Sequence, residues 1–314
     1  MARMFVCLIL CLTTSLTWAA GAEGDWIVSQ QSNRIPEAPA RIVSLDDITT
    51  EILLGLGVRP VGVANVDAYH RQQKPLRSEL EGIASLGSGQ QPNLERLVAL
   101  QPDLVLGSAS VHSALFERLD SLAPTILYDV SLEPTPDDAV DIGLAMTDHI
   151  AGLTGTEERA GEIRSELEAV LAKGRRVAGE EGVSGHPVSV LYPLPDQGLF
   201  IVSNEKTLVV SLANRLGGTN PWPLRDGNII HQRIELHALA NEPDLRLFFI
   251  GNFKGHAMFE SGLWQALPVA SQDHFGFLPN DYWSFGGPLS AIEIMDQMIA
   301  LMEGMGGAVT ASHR

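Results

Sequence analysis

Near the carboxyl end, Tyr282-Trp283-Ser284-Phe285-Gly286-Gly287 sets three aromatic rings within four residues. Pro279-Asn280-Asp281 precede them and Pro288 follows, so the segment reads as a loop rather than a strand. Aromatic rings on a loop either pack inward or offer a face to a ligand, and this turn-rich context favours a ligand platform. Nine histidines form the other chemically capable set. His149, His186, His237 and His274 lie in helical or loop contexts that read as surface or core, and His313 is terminal. His70, His112, His231 and His256 each fall after a strand or in a connecting loop. The carboxyl ends of parallel strands are where open α/β sheets gather ligands. Four imidazoles meeting there could ligate a bare transition metal, or could simply line a cleft. No H-x-H or closely spaced pair enforces ligation, so no resident metal or cofactor is expected.

Enzyme motifs are missing. The chain contains no G-x-S-x-G elbow, no phosphate-cradling loop and no H-E-x-x-H. Gly217-Gly218 and Gly286-Gly287 lack the spacing of a dinucleotide loop. No catalytic residue is assigned, and a secreted hydrolase using His and Asp remains only as an alternative from another class.

The elements that must position these residues are legible in the pattern. Ala99-Leu100-Gln101-Pro102-Asp103-Leu104 and Ala240-Asn241-Glu242-Pro243-Asp244-Leu245 each read as a helix end, a proline stop and a buried strand. Their separation of about 140 residues exceeds any solenoid period. It fits two similar lobes with a cleft between them. In the first, Arg41 to Leu45, Val61 to Val63, Leu104 to Leu106 and Ile126 to Tyr128 predict strands, and residues before Arg41 read as a polar lead-in. Thr50 to Gly57 predicts a helix closed by glycine, and Asn93 an N-cap for a helix over Leu94 to Leu100. Alternation of strand and helix predicts α/β lobes with mainly parallel sheets.

Pro134 and Pro136 open a helical region, in which Glu157 to Ala172 carries Ala160, Ile163, Leu167, Val170 and Leu171 at helical spacing. This predicts one long, stiff connecting helix of about 24 Å, ending near Gly174 and Arg175-Arg176. Beyond it, Val188 to Tyr192 and Leu199 to Val202 predict strands, while Thr207 to Leu216 and Leu289 to Met302 predict helices. The expected organisation is a leader over 1–22, a lobe over 36–155, a linker helix over 156–178 and a lobe over 184–306.

Arg3, the apolar run Met4 to Leu16 and Ala20-Gly21-Ala22 have the form of a secretory signal peptide. Both cysteines, Cys7 and Cys11, lie inside it, so the exported chain would hold no disulfide or thiolate site. Leu8-Ile9-Leu10 before Cys11 are too large for a lipid-attachment site. Of 314 residues, 38 are acidic and 21 basic, a net charge of −17 that disfavours nucleic acid and anionic membrane as partners.

The chain resembles the iron-siderophore periplasmic binding proteins of ABC importers, in particular the ferric-hydroxamate branch. The resemblance is carried by Arg41 to Leu45, Thr50 to Gly57, Pro60 to Val63, Pro92-Asn93-Leu94-Glu95, Pro102-Asp103-Leu104, Leu263 to Pro268 and Leu289-Ser290-Ala291. It implies a class III fold: two lobes joined by a single long helix, with small closure around the ligand. It implies a monomeric periplasmic receptor that captures a ferric siderophore and delivers it to an inner-membrane permease. Haem, a corrinoid or a bare metal are alternative cargoes in the same fold, and a sensor is an alternative recipient.

By the same resemblance, Trp283, Phe285, Tyr282 and Tyr69 would pack against the ligand, and Glu95 would dock on permease arginines. The family's usual arginine position holds Gly89 here, and its usual tyrosine position holds Val111 beside His112. His112 and His231 are therefore expected to supply the hydrogen bonds. Ser108 to His112 and Gly251 to His256, which follow the two copies of the repeat, are expected to face the ligand. The docking acid of the second lobe would fall near Asn214-Arg215, where no acid stands.

Overall fold

The computed structural model describes residues 25–72, 74–130, 137–224, 229–279, 282 and 284–305. The expected leader with both cysteines, Pro134, Pro136, Trp283 and His313 lie outside the described residues.

The first lobe runs β1 (Val28–Gln31), β2 (Ile42–Ser44), α1 (Asp47–Gly55), β3 (Gly62–Val63), α2 (Val66–Arg71), β4 (Ala84–Ser85) and α3 (Leu94–Ala99). It continues through β5 (Leu104–Ser108), α4 (Ala109–His112), α5 (Phe116–Leu122), β6 (Thr125–Tyr128) and α6 (Ala139–Thr154). Its sheet has the order β1-β6-β5-β2-β3-β4. All pairings are parallel except β1 with β6. The residues expected to be a polar lead-in thus supply an edge strand, and the lobe begins before residue 36. The half-exposed pattern of Val28 to Gln31 is what an edge strand with one wet face shows, and its polar composition disguised it. Both faces of the sheet are covered. Ile42, Leu104 and Leu106 enter one apolar cluster, while Val43 and Val105 enter another on the opposite face.

Local chemistry sets the helix ends as expected. Asn93 accepts the Arg96 N–H at 2.8 Å to start α3. Gly57, at φ 76°, turns the chain out of α1 in the left-handed conformation that glycine adopts without strain.

Helix α7 (Glu157–Glu180) is 24 residues long, about 36 Å, and extends past the expected end. The Arg176–Glu180 ion pair at 2.7 Å lies on its last turn. Ala160 and Ile163 pack into the first lobe's core, whereas Leu167, Val170, Leu171 and Val177 pack into the second's. Helix α6 also spans both, with Val140 in the second core and Met146 and Ile150 in the first. Two helices that each belong to both cores make a stiff join.

The second lobe comprises β7 (Val188–Leu194), β8 (Leu199–Ser203), α8 (Leu208–Asn214), β9 (His231–Glu235), β10 (Arg246–Ile250) and α9 (Ala257–Glu260). It ends with α10 (Gly262–Gln265), α11 (Pro268–Ser271), β11 (Phe275–Leu278) and α12 (Pro288–Met302). The sheet order is β11-β10-β7-β8-β9. β11, β10 and β7 pair in parallel, and β7, β8 and β9 antiparallel. The parallel rule therefore holds for all of the first lobe but its edge strand β1, and for half of the second. β7 and β8 are joined by a short turn, Pro195–Gln197, too brief for a crossover.

A buried carboxylate ties the lobes together. Glu51 of α1 is fully buried and accepts the Ser290 N–H at 2.7 Å and the Ser290 hydroxyl. Ser290 lies in the first turn of α12, where the helix dipole favours a negative charge. The approach is possible because residue 287 is glycine: a Cβ there would stand 2.7 Å from Glu51 Oε1.

Candidate functional site

The carboxyl ends of the first lobe's strands open onto a cavity of about 500 Å³, within the range of small-molecule sites. Asp46 and Asp47 come from the end of β2, Asn65 from the end of β3, and Gly89 from the loop after β4. Ser108 and His112 come from the end of β5, and Val130 follows β6. Phe285, in the loop before α12, contributes a wall from the other lobe, so the cavity lies between the two. Leu45, Ile48 and Val111 complete its apolar lining.

Its polar floor is held by one connected network. Asp46 N-caps α1, with Oδ1 accepting the Thr49 N–H at 2.8 Å and the Thr49 hydroxyl at 3.0 Å. Asn65 sits at φ 58°, a left-handed conformation that asparagine tolerates. Its Oδ1 accepts the Gly89 N–H at 2.7 Å, and its side chain hydrogen-bonds Asp47. The Gly89 carbonyl accepts from His112 Nε2 at 2.9 Å. With the proton on Nε2, His112 Nδ1 accepts the Ser108 N–H at 3.2 Å. Glycine is required at 89 because a Cβ would stand 2.7 Å from both the Leu45 carbonyl oxygen and the Asn65 amide nitrogen.

Burial pushes the Asp47 carboxyl up to about 6. Lys74 and the Asn65 hydrogen bond oppose that rise, while Asp46 and Glu51 add to it. Asp47 Oδ1 and Asp46 Oδ2 are buried without a hydrogen-bond partner.

The second lobe contributes two adjoining hollows that share Tyr192. One, about 190 Å³, is lined by Ser203, His231, Ile250 and Tyr282. The other, about 290 Å³, is lined by Pro193, Asp196, Phe253 and His256. The Tyr192 and Phe253 rings meet edge to face at 6.1 Å. The Tyr282 hydroxyl donates to Gln297 Oε1. His231 Nδ1 lies 3.1 Å from the Ser203 hydroxyl, and burial shifts this imidazole downward. His256 Nδ1 accepts the Met258 N–H at 3.2 Å and so caps α9.

The expected residues are distributed unevenly. Phe285 and Val111 line the interlobe cavity, and Tyr282 and His231 line a neighbouring hollow. Ser108 to His112 do border the cavity; of Gly251 to His256, Phe253 and His256 border the second-lobe hollow instead. Tyr69 is corrected: it is fully buried with Leu54, Val63 and Leu80, its hydroxyl donating to the Pro75 carbonyl at 2.8 Å. The reason is the orientation of α2, which turns Ala68 to the cavity and the next residue to the core.

His112 is corrected as well. It borders the cavity but is fully buried, and both ring nitrogens serve backbone groups, so it props the loop at Gly89 rather than offering a free donor. The four histidines do not converge. His70 is exposed on α2, His112 is buried in the first lobe, and His231 and His256 border separate hollows. Among the described residues no three His, Cys, Asp or Glu side chains gather as a metal site.

Glu95 is exposed in the first turn of α3. Near the expected second docking position, Asn214 donates to Glu205 at 2.9 Å, and Arg215 pairs with Asp138 and with Asp141 at 2.8 Å. Sequence reasoning missed Asp46, Asp47, Asn65 and Tyr192. The first two carried a usable signal, being an acidic doublet directly after a buried parallel strand.

The periplasmic binding protein family matches residues 42–238. YhfQ of Bacillus subtilis, described as an ABC transporter substrate-binding lipoprotein, is 30% identical over 265 residues, 80% of this chain and 79% of its own. The iron(3+)-hydroxamate-binding protein FhuD of Escherichia coli is 25% identical over 269 residues, 83% of this chain and 87% of its own. Among solved structures, the Fe3+–Desferal-bound siderophore binding protein FhuD of Vibrio cholerae superimposes with a TM-score of 0.67 at 22% identity. That match covers 83% of this chain and 98% of the other, and it shows the shared fold. With its two lobes, its connecting helix and the cavity between them, the chain belongs to the periplasmic binding protein family and is a substrate-binding protein.

Proposed function

We propose that the protein works in the periplasm, captures a ferric-siderophore-type complex between its lobes and delivers it to an inner-membrane ABC permease. The observation that carries this is the interlobe cavity of about 500 Å³, whose polar floor is pinned by the Asp47–Asn65–Gly89–His112 network. A floor fixed before binding, facing an aromatic wall, suits recognition of a preformed complex. It suits catalysis poorly, because the cavity imidazole already spends both nitrogens on backbone. The names of the relatives, which bind iron hydroxamates, support the same class of ligand.

In this reading Phe285, Tyr282 and Trp283 pack on the organic shell, Val111 adds an apolar contact, and His231 faces the ligand from the second lobe. Glu95 meets permease arginines. Export through the leader over 1–22 places the chain outside the inner membrane, and no described helix is long and apolar enough to cross a membrane. One copy suffices, because both walls come from one chain.

Binding is testable by intrinsic fluorescence and native mass spectrometry against a ferric trihydroxamate, ferric citrate, a ferric catecholate, haem, cobalamin, Zn2+ and Mn2+. A ferric complex should bind at micromolar Kd or tighter, and Trp283→Ala and Phe285→Ala should each weaken it. Binding of haem, cobalamin or a bare metal in preference to every ferric complex would overturn the proposal.

A further inference from the structure

Helix α12 begins without a cap of its own. Gly287 stands at its N-cap position with no side chain to offer, and Pro288 opens the first turn without an N–H. The Ser290 N–H, which a local cap would normally serve, is served from the opposite lobe by Glu51 Oε1 at 2.7 Å. Glu51 Oε2 takes the Ser290 hydroxyl, so both carboxylate oxygens are committed to one residue of α12. A local cap and this one exclude each other. A Cβ on residue 287 would stand 2.7 Å from Glu51 Oε1 and 3.0 Å from its carboxyl carbon. A serine at 287 would cap the helix without burying a charge. The chain instead buries Glu51 completely to make a cap that crosses between lobes.

The residues just before this cap carry a cavity wall. Phe285 lines the interlobe cavity and packs against an apolar cluster of each lobe. Its flanks are held from three sides. The Ser284 carbonyl accepts the Leu208 N–H of α8 at 2.7 Å, from the second lobe. The Gly286 carbonyl runs close to α6, where a Cβ on Gly143 would stand 3.1 Å from its oxygen. Glu51 of α1 holds the far end through Ser290, from the first lobe. The ring therefore sits on a short span with one end tied to each lobe. Fixing such a ring before the ligand arrives removes the cost of ordering it on binding.

We propose that Glu51 is a positioning residue for ligand capture: by capping α12 across the lobe boundary, it sets where Phe285 stands in the cavity. Glu51 does not line the cavity itself and acts only through the span it anchors. The bond between lobes does the positioning, rather than the capping of a helix as such. The effect on affinity rests on the ferric-complex reading above, whereas the effect on the Phe285 ring does not.

The test separates the cap from its origin by comparing Glu51→Ala with Glu51→Ala/Gly287→Ser. Without the carboxylate, a Cβ at 287 has Ile52 Cγ1 at 3.3 Å as its nearest neighbour. The backbone there is extended, at φ −82° and ψ −178°, so serine can cap α12 locally. Each protein carries 4-fluorophenylalanine at position 285, read by fluorine NMR without ligand, and is titrated with ferrioxamine B. Wild type should give one narrow resonance. Both variants should shift or split it and lose about three- to tenfold in affinity, although the local cap returns the urea midpoint most of the way to wild type. Leu239→Ala truncates a fully buried side chain that lines none of the three cavities. It should lower the midpoint and leave resonance and affinity unchanged. A wild-type resonance in Glu51→Ala overturns the proposal, as does a moved resonance with affinity unchanged. Recovery of resonance and affinity by the local cap also overturns it, since Glu51 is then a helix cap only. Should the double variant not regain stability, Glu51→Gln decides, and a wild-type resonance in that variant overturns the proposal. Failure of wild type to bind ferrioxamine B counts against a hydroxamate ligand alone, and the fluorine readings still decide the role of Glu51.

Discussion

Replacing Asp47 by Asn should make the ligand-free protein more stable at neutral pH. The carboxyl lies at about 6 in the folded chain against 3.8 in the free side chain, because burial disfavours its charged form more than Lys74 and Asn65 favour it. The folded state therefore holds this proton more tightly than the unfolded state. At pH below about 4 both states are protonated and the group is neutral with respect to stability. Between about pH 4 and pH 6 the unfolded chain releases its proton first, and stability falls as pH rises. Above about pH 6 the loss is complete. The gap from 3.8 to about 6, at about 1.4 kcal/mol per pKa unit, corresponds to about 3 kcal/mol.

D47N cannot ionise, so it escapes this loss, although its amide leaves one polar group poorly paired at a cost of about 1–2 kcal/mol. The expected net gain at about pH 7.5 is about 1–2 kcal/mol. Urea unfolding of ligand-free wild type and D47N across this pH range measures it directly. The wild-type minus variant difference should change by about 3 kcal/mol between about pH 4 and pH 7.5. A variant less stable than wild type at pH 7.5, or a difference flat with pH, refutes the reasoning. A gain in stability accompanied by weaker ligand binding is the usual signature of a group kept for function.

Glu51→Ala leaves a cavity and orphans the Ser290 N–H at the start of α12, and should cost about 3–5 kcal/mol in urea unfolding, with Glu51→Gln costing about half as much. Gly89→Ala drives a Cβ to 2.7 Å from the Leu45 carbonyl; it should destabilise by about 1–3 kcal/mol and weaken ligand binding, since the floor network must shift. Tyr69→Phe removes the hydroxyl bond to Pro75 and should lower stability by about 1 kcal/mol with ligand affinity unchanged, an affinity loss marking a ligand contact after all.

Much of the architecture was readable because it depends on neighbours in sequence. Asn93 caps α3 through a bond three residues away, and Gly57 ends α1 through its own backbone freedom. The helical spacing of Ala160, Ile163, Leu167 and Leu171 predicted α7, and those side chains are buried. β1 escaped notice because an edge strand needs no apolar run, and β9 for the same reason: its alternating exposed pattern marks the other sheet's edge. Phe285 of the aromatic loop and Val111 of the segment after β5 line the interlobe cavity. Tyr69 and His112 were misjudged because residue type does not say which way a side chain faces on a short helix.

Sequence alone determined that the chain has two α/β lobes, a stiff helix between them, no familiar catalytic motif and a membership carried by short phrases at strand and helix ends. The lobes and the helix rest on periodicity, punctuation and composition, which act over a few residues, while the membership rests on resemblance to a known family. The tertiary structure decided the site. Only folding brings Asp47, Asn65, Gly89 and His112 into one network, and only folding leaves two carboxylate oxygens buried and unpaired beside a wall from the other lobe. The bond from Ser290 to Glu51 crosses 239 residues of sequence. Such contacts depend on the relative placement of whole elements, which no local pattern encodes.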